Sequence, residues 1–409
     1  MSSPKQIAIV GGGPGGLSLA RLLQLGDKTH RYDVKVYERD LNSEARIEGG
    51  SLDLHVGSGQ VFIDRAELRS AYEAVARVDG GYYAMYTQEL ERVWHMAVPQ
   101  HPEMDRYDLR TMLLDSLKPN TVEWNHHLLK IDVVGDKYAL WFKHNQESPV
   151  YCDALIGADG AFSKIRAHIA PAMAKPTYSG VTLIQGELLH PDTQCPKMLS
   201  RLHRGNMFTL GSRGRHFGLQ QKTDGSIIYY ASFKVPEHFM EEKYGIHSNE
   251  QVDQAVFRLA MLDIFEGFDP EILDVIKATD RLVVRKATGL MYRSTLEDRW
   301  TNFGERKLPL ATLIGDAAHV IPSFAGQGVN NAMMDAVELA EELLKDQDCA
   351  MAFSAYEQRM LERCTRAAQM TEVFEDAFHD EKDNIATTTK MFAKVGPVKL
   401  DDRWKNLLD

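Results

Sequence analysis

The residues that could do chemistry begin with the run IAIVGGGPGG, whose Gly11, Gly13 and Gly16 have the spacing that cradles a pyrophosphate. At a strand-to-helix junction the first glycine permits the tight turn, the second lets the backbone approach the anion, and the third lets the helix pack closely. The unpaired N–H groups at the helix start supply the donors. Twenty-two residues beyond Gly16 stands Glu38, at the end of the next apolar run. A carboxylate there accepts hydrogen bonds from an adenosine ribose and favours the unphosphorylated sugar, hence FAD or NAD over a resident NADP. Arg39, beside it, is grouped with the cofactor-binding residues.

Further along come Arg110 in RYDLRTMLLDSL, Asp159 in LIGADGAFSKIR, and Asp316 in LIGDAAHVIPSFAGQGVNNAMMD, with Pro322, Gly326 and Gly328 in that last stretch. Each alone has an ordinary reading: a solvated helix arginine, a strand before a glycine turn, a plain loop. There is no nucleophile elbow with a Ser-His-Asp order, no HExxH and no activated-cysteine context. His126 and His127 are neighbours on an expected strand, so they face opposite sides and do not chelate.

A βαβ unit must position the first of these residues. KQIAIV reads as a buried strand, GGLSLARLLQLG as a helix with Leu17, Leu19, Leu22 and Leu23 inward, and YDVKVYERD as the next strand. SGQVFIDRAELRSAYEAVA and DLRTMLLDSL read as helices. TVEWNHHLLKIDVV and YALWFKHN read as antiparallel strands, and CDALIGADG as a strand returning to the first sheet. From 175 to 295, β-branched and aromatic runs such as SGVTLIQGELL, MFTLGS, HFGLQQ, SIIYYASFKV and RLVVRKATGLM predict a mixed or antiparallel sheet, interrupted by helix over 248–279. ATLIGDAAH predicts another core strand, and everything after Gly326 predicts helix, with apolar residues three and four apart. The expected organisation is discontinuous. Residues 1–174 and 296–345 form a nucleotide domain, 175–295 a sheet-rich substrate domain, and 346–409 a helical region bridging the two.

The net charge of −11 over 409 residues argues against a nucleic-acid binder. Apolar and charged fractions of 44% and 26% are those of a globular protein. Cys152, Cys195, Cys349 and Cys364 show neither metal nor disulfide spacing, so a reducing cytoplasm is expected. The first strand begins almost at once, leaving no room for a signal peptide, and no apolar run approaches a membrane span. A monomer without a metal, nucleic-acid or membrane partner is the expectation.

Taken in order, the N-terminal fingerprint, the middle motif GADGAFSKIR and the late motif LIGDAAHVIPSFAGQG resemble the three signatures of the single-component FAD-dependent aromatic hydroxylases. These are the para-hydroxybenzoate hydroxylase-like flavoprotein monooxygenases, and the resemblance covers essentially the whole chain. Within that group YERD, EARIEGGSLDLHVGSGQ, RYDLRTMLLDSL and GDAAHVIPSFAGQGVNNAMMDA are most similar to the tetracycline-inactivating monooxygenases. The resemblance implies an α/β fold: a Rossmann-type FAD-binding domain of the GR2 kind, an inserted sheet-rich substrate domain and C-terminal helices. It implies that Gly11, Gly13 and Gly16 face the FAD pyrophosphate, Glu38 the ribose, Arg110 phosphate or ribityl oxygens, and Asp316 the ribityl hydroxyls. Asp53 of LDLH is placed on the flavin side, Arg46 near the flavin edge and the nicotinamide donor, and Asp159 as a support for the loops. Pro322, Gly326, Gly328 and Asn330 are placed along the isoalloxazine ring, where the helix start stabilises the charge of the reduced flavin. FAD is implied as the bound cofactor and NAD(P)H as a transient one, matching the absence of a second GxGxxG unit. O₂ is the implied co-substrate, with oxygen transferred from a C4a-hydroperoxyflavin.

For the substrate the resemblance implies an aromatic, phenolic or enolic polycycle of polyketide type, with tetracycline as a candidate. Gln185 in TLIQGEL matches a substrate-contacting position of the tetracycline-inactivating group, and its alternative is a polar residue satisfied within its sheet. Ile228 and Met207 fall where that group carries a His and an Arg. A pocket of Met207, Phe208, Ile228, Tyr229, Tyr230 and Met291 beside Phe324 therefore suits a flatter, less polar molecule. Two other functions compete: a flavin reductase or halogenase of the same fold, and a flavin-binding sensor without catalysis. The halogenase motif W-x-W-x-I-P is absent, since the chain offers only WHMAVP.

Overall fold

A five-stranded parallel sheet runs in the order Leu310–Leu313, Ala154–Gly157, Lys5–Val10, Tyr32–Tyr37, Val122–Glu123. The computed structural model describes residues 3–45, 50–98, 101–247, 253–282, 290–294, 300 and 308–408. Ile7 to Val10 and Ala154 to Ile156 are buried, as expected of strands covered on both faces by crossover elements. The carboxyl ends of three adjacent strands, Val10, Gly157 and Leu313, lead directly into the glycine loop, the GADG motif and the Gly315-Asp316 turn. Open α/β sheets bind ligands at that end. The helix Pro14–Gly26 packs on the helix Gln327–Leu344 so closely that a Cβ on Gly15 would lie 3.3 Å from the Ala332 carbonyl oxygen. The long helix Cys349–Phe378 packs on the outside of Gln327–Leu344.

A nine-stranded sheet lies beside it, ordered Arg281–Leu282, Thr177–Leu188, Ile227–Lys234, Arg215–Gln221, Asn206–Gly211, Tyr82–Thr87, Arg92–Ala97 and Lys399–Leu400, with Leu290–Arg293 also on Thr177–Leu188. Its strands at 82–97 come from the first hundred residues and its last from the chain's end. Strand alternation divides its side chains. Met207, Phe217, Leu219, Tyr229, Ala231 and Phe233 face a core shared with Phe257, Met261 and Phe265. The opposite face meets the parallel-sheet half and the helix Cys349–Phe378: the Ser51 N–H donates to Gln220 Oε1 at 3.0 Å, and the His216 ring stacks on Phe378 at 4.8 Å.

Several elements differ from expectation. SGQVFIDRAELRSAYEAVA forms two helices, Gly59–Arg65 and Arg69–Val75, because Glu67 between them takes φ of +59°. His126 and His127 precede the strand Leu128–Val134 rather than lying on it, and the His126 ring is held through Nδ1 by the Trp124 carbonyl at 2.7 Å. RLVVRKATGLM contributes Arg281–Leu282 and Leu290–Arg293, with residues 283–289 outside the described residues. Beyond the late helices a short strand, Lys399–Leu400, closes the sheet edge. The four cysteines are buried and unpaired, and no described helix is long and apolar enough to cross a membrane.

Candidate functional site

The glycine loop is shaped by contacts only glycine allows. Gly11 has φ of +116°, and a Cβ there would meet the Ala158 carbonyl oxygen at 2.1 Å; one on Gly16 would meet the Gly11 carbonyl oxygen at 2.1 Å. Gly13 is different. It caps the helix without a side-chain hydrogen bond, and nothing lies within 4 Å of the place a Cβ would take. Glu38 is 3% exposed, and its Oε2 accepts from the Gly12 N–H at 2.5 Å while Oε1 accepts from the Asp40 N–H at 3.0 Å. Arg39 is exposed beside it. Arg110 reaches across from the helix Arg106–Asp115, donates from Nη1 to Asp40 at 3.0 Å, and lies over the Trp124 ring. Its Nε and Nη2 are buried without a hydrogen-bond partner.

The middle and late motifs close around this loop. Asp159 accepts from Ser163 Oγ at 2.5 Å and from the Lys164 N–H at 2.8 Å, fixing the start of the helix Lys164–Ile169. Arg166, 1% exposed, then donates to the carbonyls of Asp316 at 3.2 Å and Ala317 at 2.7 Å, joining the two motifs. The Asp316 carboxylate is exposed. Gly315, at φ +59°, donates its N–H to Asp335 at 2.6 Å. Asp335 also binds His319 and Arg363, each at 2.6 Å, inside the protein. Burial alone would depress the His319 imidazole, but the Asp335 charge holds it well above its ordinary range. Pro322 is buried, and Gly326 caps the helix Gln327–Leu344 at φ +62°, where a Cβ would lie 3.1 Å from Asp53 Oδ1. Gly328, like Gly13, has nothing within 4 Å of a Cβ position.

Asn330 was expected along the cofactor, yet its carboxamide is engaged by the protein. Oδ1 accepts from the N–H groups of His55 and Gly59 and from Ser58 Oγ, and Nδ2 donates to the carbonyls of Asp53 and Gly326. It ties the 53–59 loop to the late helix. Arg46 lies outside the described residues.

The second sheet presents a row of side chains to this region. Gln185 pairs with Tyr230, Tyr230 with Gly218, and Gly218 with Phe208, so four adjacent strands contribute neighbours on one face. Gln185 makes no hydrogen bond to a described residue, unlike the alternative of a polar group satisfied within its sheet. The Tyr230 hydroxyl donates to Gln220 at 3.3 Å. Ile228, fully buried, stands on the same face opposite Gln220. Met207 and Tyr229 do not join the row. The pleat turns both to the helical side, where Tyr229 bonds Thr279 at 3.0 Å. Phe324, beside the 322–328 loop, packs edge-on against His379 at 5.1 Å and near Phe378. Met291 is half-buried. Glu103 went unnoticed in the sequence. It is 3% exposed and accepts from Asn206 and Gln220, each at 2.9 Å; burial, reinforced by the Asp53 charge, pushes it up to about 7.

A family model described as an FAD binding domain (FAD_binding_3) matches residues 311–371. Monooxygenase penA of Penicillium thymicola is 24% identical over 84% of this chain and 85% of its own length. The structure of Klebsiella pneumoniae HpxO complexed with FAD and uric acid superposes with a TM-score of 0.73 at 18% identity, covering 96% of this chain and 92% of that one. The tetracycline destructase Tet(51) gives 0.70 at 19%, covering 96% of each chain. Over most of its length the chain is similar to FAD-dependent monooxygenases in sequence and in fold. The resemblance carried by the three motifs is borne out at that level, as is the α/β fold. HpxO and Tet(51) share that fold equally, so the fold alone does not single out a substrate.

FAD suits the residues present. A dinucleotide needs an anion cradle and fixed cationic donors near it. The free space at Gly13, the uncapped N–H groups of Pro14–Gly26 and the orphaned Nε and Nη2 of Arg110 meet that need. The exposed Asp316 carboxylate and the open Gly328 at an uncapped helix start provide the matching acceptor and donors at the other end.

Proposed function

We propose that this flavoprotein hydroxylates a phenolic, enolic or otherwise aromatic polycycle, taking electrons from a transiently bound NAD(P)H and one oxygen atom from O₂. The observation that carries this reading is the row Gln185–Tyr230–Gly218–Phe208 on the sheet face turned toward the cofactor loops. It combines flat aromatic surface with isolated polar groups, which suits a planar, partly oxygenated molecule. FAD, when bound, supplies electron transfer and O₂ activation.

In this reading Gly11, Gly13 and Gly16 hold the pyrophosphate, Glu38 and Arg39 flank the adenosine ribose, and Arg110 neutralises phosphate. Asp316 accepts from the ribityl chain. The first N–H groups of Gln327–Leu344 stabilise negative charge on the reduced ring. Pro322, Gly326 and Phe324 wall the ring and keep water from it, while Asp53 and Asn330 position that wall. Residues 1–174 and 296–345 form the cofactor part, 175–295 the substrate part, and 346–409 the bridge; the strands at 82–97 and 399–400 complete the substrate sheet.

The test is a panel of tetracyclines and phenolic polycycles incubated with FAD-loaded protein, NADPH and air, read by mass spectrometry. A gain of one oxygen on a panel member is expected. NADPH oxidation with hydrogen peroxide release and no oxygenated product would instead mark a reductase. Tetracycline belongs in the panel because Tet(51) shares the fold.

A further inference from the structure

The loop that Asn330 ties to the late helix carries side chains that the monooxygenase reading leaves unused. The short strands Ser51–Asp53 and Glu103–Asp105 pair antiparallel, with Ser51 opposite Asp105 and Asp53 opposite Glu103. Carried two residues further, that register sets His55 opposite His101. In extended chain, residues two apart share a face, and opposite residues are neighbours on it. The contacts agree. His55 Nε2 lies 2.9 Å from Asp53 Oδ2, and the His55 and His101 rings lie 4.4 Å apart between centroids.

One nitrogen or oxygen from each of Asp53, His55 and His101 lies within 4.8 Å of the other two. Glu103, the fourth residue of the ribbon face, takes no part, because its two carboxylate oxygens accept from Asn206 and Gln220. The chain alone predicts no metal here, since His101 stands forty-six residues beyond His55 and only the ribbon joins them.

Two imidazoles and one carboxylate are the donors that first-row divalent cations of the zinc type take, and three protein donors leave positions for water. Donors bound to one such ion at about 2.0–2.2 Å stand roughly 3–3.5 Å apart, so these three need close in by at most about 1–2 Å. The approach is open. The Asp53 and His55 side chains are 22% and 18% exposed, and His101 is half-buried. Among the described residues no lysine or arginine pairs with Asp53, whose one ion-pair partner is His55. The His101 ring makes no hydrogen bond to a described residue. An arriving cation therefore meets a carboxylate that no ammonium or guanidinium neutralises. We propose that Asp53, His55 and His101 bind one divalent cation of the zinc type, with water in its remaining positions. The ion pins the 53–59 loop to the segment ahead of Glu103–Asp105. It goes beyond the monooxygenase reading and requires neither flavin nor substrate.

The test titrates zinc chloride into the untagged, full-length chain after chelator treatment, followed by calorimetry. One zinc per chain at roughly micromolar affinity or tighter is expected. Loss of a mere outer partner of a metal ligand costs about 10–100-fold in affinity, so loss of a ligand should cost at least about tenfold. His101→Ala carries the comparison, because it leaves the Asp53–His55 hydrogen bond in place; His55→Ala should weaken binding likewise. His247→Ala is the control. His247 lies 2.8 Å from Glu241 in a separate, exposed pair, and its loss should leave zinc affinity as in the wild type. Cu²⁺ added at one per chain should show electron-spin coupling to two nitrogens in the wild type, a readout that needs no variant to fold. Absence of a stoichiometric zinc site, affinity unchanged in His101→Ala, affinity lost in His247→Ala, or copper coupled to a single nitrogen in the wild type would each overturn the proposal.

Discussion

Arg110 shows how much a single side chain can be asked to do. One guanidinium nitrogen is matched by Asp40, and two are buried with nothing to bond. A buried unsatisfied charged donor is costly, so its partner has to come from outside the protein. Arg110→Ala should weaken FAD retention by roughly ten- to a hundredfold, the range of one charge-assisted pair, as measured by equilibrium dialysis. Unchanged affinity would detach Arg110 from the cofactor. Glu103 makes a prediction of a different sort. Its carboxyl is raised from 4.5 to about 7, so the folded state binds more protons than the unfolded chain between those values. Stability should therefore fall as pH rises through that window, by on the order of 3 kcal/mol in total. Thermal melts across pH 4 to 8 should show the descent, and Glu103→Gln should flatten it.

At the scale of elements, the site depends on loops being fastened to the late helix. Asn330→Ala removes the hydrogen bonds that join residues 53–59 to Gln327–Leu344. It should cost about 2–3 kcal/mol in urea unfolding, because the loop's N–H groups lose their acceptor. Gly326→Ala should cost about 1–2 kcal/mol, since the residue sits in the left-handed region and its Cβ would lie 3.1 Å from Asp53 Oδ1. Much of this scale was legible in the chain. The βαβ opening, the GADG strand and the Leu310–Leu313 strand all carry short apolar runs ending in glycine, and each turns at its glycine. What could not be read was long-range pairing. Arg166 and Asp335 stand inside quoted motifs, yet nothing local says that they clamp the turn at 315–317. Met207 was misplaced for a related reason. A one-residue uncertainty in strand register exchanges the two faces, and only the paired strands settle which side a residue takes.

Across the whole molecule, the proposed cofactor region draws on residues from Gly11 to Gly328, so bound FAD and the fold should stabilise one another. At free FAD about a hundredfold above its dissociation constant, linkage adds about 2.7 kcal/mol, or roughly 3 °C in the unfolding midpoint. Stripped protein should melt lower by that amount in calorimetry and recover on adding FAD; an unmoved midpoint would argue against specific binding. Large surface clefts are a poor guide here. One of about 830 Å³ lies by Lys5, Gln6, Lys137 and Asp153, at the opposite end of the parallel strands from the glycine loop. The sheet order has a consequence for how the protein is made. Leu310–Leu313 lies beside Ala154–Gly157, which lies beside Lys5–Val10, although about three hundred residues separate the outermost members in translation. At roughly 5–20 residues per second the ribosome displays the glycine loop for about 15–60 s before the strand and helix that complete the cradle exist. Loading with FAD thus waits until the strand Leu310–Leu313 and the helix Gln327–Leu344 have been made, and a ribosome stalled before residue 310 would carry a nascent chain unable to turn yellow.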